Sequence, residues 1–441
     1  MSTEMSPAEL SVAFFLQMAV VIAVCRAMGW LVKRLFNQPQ VVGEIIAGVL
    51  LGPSLLGLIS PEVKDMIFPQ DTRGVLFVGA QLGIGLYMFI VGLDFRGDHF
   101  KANARSAAAV SLSGMLAPFL VAVALTPWLM NMKLFGEGVD SIQSLLFLGA
   151  AISITAFPVL ARIIQERGLS KTPLGTMALS AGAIDDACAW AVLALVLASL
   201  GGGAEVALKA IVGGGVFAVF MLTLGRRLLA PLADRVEREG RLTPALLGVV
   251  LVLFMLSAWA MDAAGLHSVF GGFILGAAMP RGLLASEVKR QLQPFALVVL
   301  VPMFFVYSGL NTQLTMVNSL PLLGVALVIL AGSILAKAGA CWAAARLTGQ
   351  DNATALGIGA LMNARGMMEL IILNIGLQKG IIGPALFSMM VLMAIVTTLM
   401  ASPLFEWVYG RKARERGELG SLADDHEASD AAPVQARSVA P

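Results

Sequence analysis

The stretch LSAGAIDDACAWAVLALVLA, residues 179–198, places two aspartates side by side in an otherwise apolar run. An apolar run of about 20 residues is typical of a helix that crosses a lipid bilayer. A carboxylate at the centre of a bilayer costs about 3 kcal/mol on insertion scales, so acids at that depth are usually retained for a function. Asp185 and Asp186 therefore predict a functional site at mid-membrane.

The composition around this stretch is that of an integral membrane protein. Of the 441 residues, 58% are hydrophobic and 13% are charged, and the mean hydropathy is +0.84, whereas a soluble domain carries about 25% charged residues. The net charge is only +2, and the basic residues are scattered in loops without interleaved aromatic residues. The lipid bilayer is therefore the expected surrounding, and nucleic acid is not an expected partner.

Thirteen apolar windows are long enough to cross a hydrocarbon core of ~30 Å. They lie near residues 10–32, 41–59, 74–94, 106–130, 142–165, 173–199, 206–225, 243–261, 268–280, 294–310, 319–345, 353–377 and 383–409. The ninth window is short, so a tilted or partial helix is expected there. The predicted fold class is an all-α membrane protein with thirteen transmembrane helices.

The positive charges predict how these helices are oriented, because Lys and Arg gather in cytoplasmic loops. With the N-terminus outside and the C-terminus inside, most of the 30 basic residues fall on the inner side. Lys337 and Arg365 fall on neither side of the membrane, because they lie near the centres of spans eleven and twelve. Among the acids, Asp185, Asp186 and Glu369 lie deepest.

A weak internal repeat joins the two halves of the chain. IAGVLLG (46–52) in span two resembles FGGFILG (270–276) in span nine, and FIVGLD (89–94) in span three resembles VYSGLN (306–311) in span ten. Each copy lies seven spans from its partner, an odd offset, so the halves are expected to be inverted in the membrane. Inverted repeats are common in secondary transporters, where the binding site lies at the midplane between them.

The two aspartates are expected to have different partners. Adjacent helix residues point about 100° apart, so one can meet a cation in a pathway while the other meets a neighbouring helix. Lys337 is the candidate partner of the second aspartate, since an unpaired ammonium at this depth tends to lose its proton. A static structural ion pair is the alternative, although a single Asp would suffice for it.

Span five contains a helix breaker. In LGAAISITAFPVLARII (148–164), Pro158 has no N–H to donate and tends to kink or break the helix. Carbonyl groups freed around residues 153–156, together with the hydroxyls of Ser153 and Thr155, are candidates to ligate a cation beside the aspartates. An ordinary proline kink is the alternative interpretation.

Span twelve carries the second group of polar residues. In GIGALMNARGMMELIILNIG (357–376), Asn363, Arg365, Gly366 and Glu369 cluster within two turns. Arg365 and Glu369 are four residues apart and can pair along one helix face. These residues, with Asn363, are candidates for charge compensation near the site, and a purely structural pair is the alternative.

Competition between a cation and a proton for the same carboxylate oxygens is sufficient to couple two ion flows. The sequence contains no GxxxxGK[ST] phosphate loop, so no cofactor and no enzymatic activity are expected.

An intramembrane aspartyl protease needs two carboxylates from different helices, whereas these are neighbours on one helix. A sensor would be expected to carry an output domain, but the charged, Ala-rich segment from residue 411 is predicted to be a disordered cytoplasmic tail. A proton-independent carrier or channel-like protein on the same fold remains an alternative.

Five segments together resemble the monovalent cation:proton antiporter superfamily, in particular the branch of plant cation/proton exchangers and their bacterial relatives. They are QPQVVGEIIAGVLLGPSLLG (38–57), FIVGLDF (89–95), SITAFPVLARI (153–163), the Asp185–Asp186 pair and NARGMMELIILNIG (363–376). The resemblance covers the chain to about residue 410.

This resemblance implies a scaffold or dimerisation domain, formed by spans one to three and eight to ten, and a mobile core of spans four to six and eleven to thirteen. Broken helices five and twelve cross at the midplane of the core. The corresponding ranges are 1–100 and 242–315 for the scaffold, 101–200 and 316–410 for the core, 201–241 for a linker helix and basic cytoplasmic loop, and 411–441 for the tail.

The resemblance also implies that Asp186 is the main cation and proton site and that Asp185 is the acid that pairs with Lys337. Members of this type exchange sodium or potassium for protons as homodimers, by an elevator-like movement of the core, and a bacterial inner membrane is the expected location. Two aspartates with a lysine resemble the electrogenic members, which implies two protons per cation. Phe157 stands where some exchangers have an Asp, so a third carboxylate ligand is missing. The preference between sodium and potassium depends on cavity size and ligand number, which the sequence does not define.

Overall fold

The computed structural model describes residues 5–36, 40–94, 97–169, 172–197, 203–264, 268–312, 314–317 and 319–415. Within these residues the regular structure is helical, and an isolated antiparallel bridge joins Phe135 to Ile382. The predicted all-α class is confirmed over this part of the chain.

Twenty α-helices make up the described chain. Those in the N-terminal half are α1 (Pro7–Phe36), α2 (Gln40–Leu51), α3 (Leu56–Ile59), α4 (Pro61–Ile67), α5 (Arg73–Asp94), α6 (Gly97–Asn131), α7 (Ser141–Ser153), α8 (Phe157–Glu166), α9 (Pro173–Leu197) and α10 (Gly203–Phe220). Those in the C-terminal half are α11 (Arg226–Glu239), α12 (Pro244–Ala263), α13 (Ser268–Ala278), α14 (Leu283–Phe295), α15 (Val301–Leu310), α16 (Leu320–Leu347), α17 (Asn352–Met362), α18 (Met367–Gln378), α19 (Pro384–Phe405) and α20 (Arg411–Glu415). Short π-helical segments continue α10, α14 and α19 at Met221–Gly225, Ala296–Leu300 and Glu406–Gly410.

Nine of the described helical stretches are long and apolar enough to cross a membrane, and α7, α13 and α17 are shorter apolar helices. Each of the thirteen predicted windows contains helix. Windows five and twelve each contain two helices separated by non-helical residues, and window nine contains only α13, which has 11 residues. The chain is therefore a multi-pass membrane protein.

Two stretches predicted to be irregular are helical. Residues 226–239, predicted as a basic loop, form α11 because Leu229, Ala233 and Val236 recur at helical spacing and are buried together along one face. Residues 411–415, predicted as the start of a disordered tail, form α20. The remainder of the predicted tail, residues 416–441, lies outside the described residues.

The longer helices pack in two groups. One group contains α1, α2, α5, α12, α13 and α15, and the other contains α6, α7, α8, α9, α16, α17, α18 and α19. The groups meet where α2 contacts α19 and where α15 contacts α18. The broken helices and the adjacent aspartates all belong to the second group.

The glycines of the internal repeat lie where helix backbones touch in the first group. A Cβ atom on Gly309 of α15 would lie 1.9 Å from the carbonyl oxygen of Gly48 in α2. A Cβ atom on Gly276 of α13 would lie 2.1 Å from the carbonyl oxygen of Phe89 in α5. The first repeated motif lies in α2 and α13, and the second lies in α5 and α15. Each motif thus packs on the other motif from the opposite half, as a two-fold relation between the halves would produce.

Candidate cation-binding site

Two interrupted helices meet at the centre of the second group. Residues 154–156 separate α7 from α8, and residues 363–366 separate α17 from α18. The Ala156 amide donates to the Ala364 carbonyl at 3.0 Å. The two interruptions are therefore hydrogen-bonded to each other, and four helix ends converge on one point.

Pro158 explains where the first interruption falls. It is the second residue of α8, a position at which a backbone N–H has no partner within the helix, so its absence costs nothing. In a continuous helix the ring would clash with the carbonyl of residue 154. The chain therefore leaves the helix just before the proline, as the sequence predicts.

Two cationic side chains cap the carboxyl end of α7. The Arg365 guanidinium donates to the carbonyls of Ala151 and Ile152 at 3.1 and 2.6 Å, and Lys337 Nζ donates to the carbonyl of Ser153. The last carbonyls of a helix lack helical partners and carry partial negative charge, which cations compensate. The Ser153 carbonyl, a candidate ligand of a transported cation, thus already accepts one hydrogen bond, and its second lone pair remains for a cation.

The two hydroxyls predicted as ligands are also engaged. Ser153 Oγ donates to the Ala150 carbonyl at 3.1 Å, and Thr155 Oγ1 donates to the Met362 carbonyl at 3.0 Å, across to the end of α17. Both side chains are fully buried. A hydroxyl oxygen that donates its proton still has lone pairs, so either oxygen could still ligate a cation.

Asp185 is the paired acid. Its Oδ2 atom accepts from Lys337 Nζ at 3.0 Å and from the Thr155 amide at 2.8 Å. Lys337 and Asp185 are both fully buried. The structure thus brings together Asp185 and Lys337, which the sequence predicted to pair. The Thr155 amide, just before the N-terminus of α8 with its partial positive charge, is a further donor to Asp185.

Asp186 has a different environment. The residue is 3% exposed, and its Oδ1 atom is buried without a hydrogen-bond partner in the described part of the chain. Gly182 lies four residues earlier and therefore on the same face of α9. A Cβ atom on Gly182 would lie 2.7 Å from Leu160 Cδ2 of α8. Asp186 thus belongs to the face of α9 that packs toward the broken helix, and within the described residues it has no ion pair of the kind that Lys337 forms with Asp185.

The charged residues of span twelve form the pair that their spacing suggests, but not along one helix. Arg365 Nη1 and Glu369 Oε2 form an ion pair at 3.6 Å, which is longer than a normal hydrogen bond. Arg365 lies in the non-helical interruption rather than on α18, so the two residues do not share a helix face. Asn363 donates through Nδ2 to the Gly359 carbonyl at 3.1 Å.

Thr398 of α19 is a residue that the sequence analysis missed. Its hydroxyl oxygen lies 3.2 Å from the Arg365 amide nitrogen and 2.6 Å from the Arg365 carbonyl oxygen, and the side chain is buried. It holds the backbone of the second interruption in place. The only signal in the sequence is a hydroxyl residue within an apolar span.

The atoms left without donors define what the site can bind. Asp185, Asp186, Asn363 and Glu369 each have a buried side-chain oxygen with no hydrogen-bond partner in the described residues. Carboxylate and amide oxygens are the ligands that hard cations take. The described ranges contain no group of three or more His, Cys, Asp and Glu side chains that could hold a metal ion. A cation bound beside Asp186 would therefore need carbonyl, amide or water oxygens in addition to the carboxylate.

A helical multi-pass protein whose interrupted helices cross beside buried acids falls in the class of secondary transporters. The family described as "Sodium/hydrogen exchanger, transmembrane" matches residues 19–409, and the chain belongs to that family. The resemblance read from the sequence motifs is thereby confirmed.

Curated relatives and one solved structure agree with this assignment. The Na(+)/H(+) antiporter NhaS4 of Synechocystis sp. is 39% identical over 392 residues, which are 88% of this chain and 95% of that protein. The Na(+)/H(+)-K(+) antiporter GerN of Bacillus cereus is 28% identical over 406 residues, 90% of this chain and 97% of GerN. The Cation/H(+) antiporter 19 of Arabidopsis thaliana is 32% identical over 397 residues, 89% of this chain but 49% of the plant protein, so the chain spans about half of that relative. The sodium proton antiporter MjNhaP1 from Methanocaldococcus jannaschii shares the fold, with a TM-score of 0.64 over 93% of this chain and all of that chain, at 14% identity.

Proposed function

We propose that this protein is a secondary antiporter that exchanges sodium, potassium or both for protons by alternating access. The family assignment and the relatives named as sodium/proton and sodium/proton-potassium antiporters support this function. The protein uses no cofactor and catalyses no covalent reaction.

One observation carries the proposal. Of two adjacent buried aspartates, Asp185 has a lysine partner at 3.0 Å, whereas Asp186 has a buried oxygen to which no described residue donates. A carboxylate in this position needs either a proton or a metal ion to compensate its charge. Because both bind the same oxygens, a proton must leave before the cation enters, and this exclusion couples their opposite flows.

Asp185 has an electrostatic role in this proposal. Lys337 neutralises Asp185 and caps α7 at the same time, so the lysine is linked both to the acid and to the broken helix. A change in the protonation of this pair during the cycle would add a second proton per cation. Ser153 and Thr155 contribute neutral oxygens near the cation, and Arg365, Asn363 and the ionised form of Glu369 compensate the remaining charge.

The two helix groups are the structural basis for alternating access. We assign residues 1–100 and 242–315 to a scaffold, 101–200 and 316–410 to a mobile core, 201–241 to a linker and 411–441 to a tail. The repeated glycine contacts between α2 and α15 and between α5 and α13 support inverted repeats. Thirteen crossings with the N-terminus outside, a homodimer and a bacterial inner membrane complete the proposal. Core movement relative to the scaffold would expose Asp186 to each side in turn.

The decisive experiment compares aspartate variants in proteoliposomes under a clamped membrane potential. An imposed pH gradient should drive uptake of labelled sodium, potassium or lithium by the wild type, and Asp186→Asn should abolish it. Asp94→Asn is the matched control, because Asp94 forms a partly exposed pair with Lys289 at the end of α5, in the first group. Wild-type uptake that is independent of the pH gradient would instead favour a proton-independent carrier, and retained exchange in Asp186→Asn would remove this carboxylate from the mechanism.

A further inference from the structure

Glu369 is a second buried acid whose oxygens accept no hydrogen bond of normal length within the described residues. The residue is 1% exposed, and neither Oε1 nor Oε2 has a hydrogen-bond partner among the described residues. It lies in the first turn of α18, directly after the second interruption. Buried polar groups are nearly always hydrogen-bonded, so two unsatisfied oxygens on one carboxyl group call for an explanation.

The nearest cation does not supply the missing bond. Arg365 Nη1 lies 3.6 Å from Glu369 Oε2, while the two terminal nitrogens of the guanidinium donate to the end of α7. Arg365 Nε is itself buried without an acceptor among the described residues. The guanidinium that pairs with Glu369 at 3.6 Å therefore still has one N–H to donate. A movement of the guanidinium toward Glu369 would loosen its hold on α7.

The surroundings of Glu369 contain few other charges. The helices that pack on α18 are α7, α15 and α19. Along their lengths α7 and α19 carry no ionisable side chain, and α15 carries only Tyr307. Arg365 forms an ion pair with Glu369, and Lys337 of α16 is a further cation near it. Burial without donors favours a neutral carboxyl group in general, and a neighbouring cation favours the anion. Glu369 has both influences, and its ion pair with Arg365 is a long one, at 3.6 Å.

We infer that Glu369 is a second proton-binding residue of the exchanger, separate from Asp186, with Arg365 as its positioning partner. In the arrangement described above the carboxyl group holds a proton and Arg365 caps α7. When the proton leaves to water, the Glu369 carboxylate accepts hydrogen bonds from the Arg365 guanidinium, and the carbonyls of Ala151 and Ile152 lose their donor. The protonation of Glu369 is thereby linked to the broken helix that carries Ser153 and Thr155. This inference rests on the proposed exchange function and deepens it.

The test counts protons released when a cation binds. Purified full-length protein in weakly buffered detergent solution, with a pH-indicator dye, is mixed with sodium chloride or potassium chloride. The wild type should release more protons per bound cation than Glu369→Gln, by about one proton. Glu44→Gln is the matched control, because Glu44 is a fully buried carboxylate that pairs with Arg26 at 3.3 Å in the first helix group. Its proton count should equal that of the wild type.

A second variant keeps the test decisive if Glu369→Gln does not fold. Glu369→Asp keeps a carboxyl group but withdraws it by one methylene, so the pH midpoint of exchange in proteoliposomes should shift while the proton count stays. An unchanged proton count in Glu369→Gln, or an unchanged midpoint in Glu369→Asp, overturns the inference. Failure of the proposed function has a different signature, because wild-type proteoliposomes would then show no proton flux on addition of a cation.

Discussion

Lys337 Nζ lies 3.0 Å from Asp185 Oδ2, and the same nitrogen donates to the carbonyl of Ser153 at the end of α7. One ammonium group therefore serves a carboxylate and a helix terminus, both fully buried. Removing it would leave two groups uncompensated at once.

We expect Lys337→Ala to be strongly destabilising. Breaking a buried ion pair by removing one partner costs about 3–5 kcal/mol, because the remaining charge stays buried without compensation. Thermal unfolding in detergent measures the loss. The double variant Asp185→Asn/Lys337→Met should recover much of it, since neither charge then remains. Lys289→Ala, which removes a partly exposed pair with Asp94, should cost less than about 1 kcal/mol.

The transport phenotype of the same position separates a mechanistic from a structural pair. If the Lys337–Asp185 pair changes protonation during the cycle, the double variant should exchange with a different pH profile or with fewer protons per cation. The reversal potential of exchange in proteoliposomes measures that stoichiometry. A double variant with the wild-type profile and stoichiometry would limit the pair to stability.

Arg365→Lys tests the two-carbonyl cap. A lysine has a single nitrogen in place of the fork that reaches Ala151 and Ile152. We expect a loss of about 1.5–3 kcal/mol, the contribution of one hydrogen bond to a charged group. The control is Arg411→Lys, because Arg411 is 93% exposed and pairs with Glu415 on the surface. Equal melting temperatures for both variants would contradict the capping role.

Gly309→Ala tests the backbone contact between α2 and α15. The added methyl would lie 1.9 Å from the Gly48 oxygen, so the helices must separate, at a cost of about 1–3 kcal/mol or more. Gly324→Ala is the matched control, since a Cβ atom there meets nothing within 4 Å. That substitution should be neutral or stabilise α16 by up to about 1 kcal/mol. Similar unfolding temperatures for the two variants would exclude the close contact.

Asp351 should make part of the stability depend on pH. Its partial burial alone would raise the pKa of this carboxyl group, but hydrogen bonds from Lys412 and Thr354 outweigh that effect and hold the pKa well below its usual range. A group whose pKa is lower in the folded state stabilises the protein above its unfolded pKa of about 3.9 and loses that contribution as the pH falls through the folded value.

The measurement compares Lys412→Ala with the wild type. Their difference in melting temperature should be constant near neutral pH and should shrink as the solution is made more acidic than about pH 4. Lys289→Ala again provides the control for loss of a basic residue. A difference that grows on acidification would reverse the predicted sign.

Several features follow from local chemistry and could be predicted from the sequence. Hydropathy alone places the helices, because a lipid-embedded backbone must form its hydrogen bonds internally. Pro158 determines where α7 ends, because its ring is covalently unable to continue the preceding turn. Asp185 and Asp186 could be identified as candidate site residues from the sequence, because placing a carboxylate at the centre of a bilayer costs free energy. Lys337 was identified in the same way, and its contact with Asp185 is as expected.

The tertiary structure decided which atoms meet. Lys337 lies 152 residues from Asp185, and Arg365 lies 214 residues from Ala151, so packing rather than spacing sets these contacts. The i, i+4 spacing of Arg365 and Glu369 suggested one helix face, but an interruption intervenes and the guanidinium turns to the end of another helix. The sequence thus determined the spans, the helix breaker and the buried charges, because each depends on a residue and its immediate neighbours. Only the folded chain decided that Lys337 compensates Asp185, that Lys337 also donates to the Ser153 carbonyl and that the Arg365 guanidinium donates to the end of α7, because a hydrogen-bond partner is set by distances between distant segments.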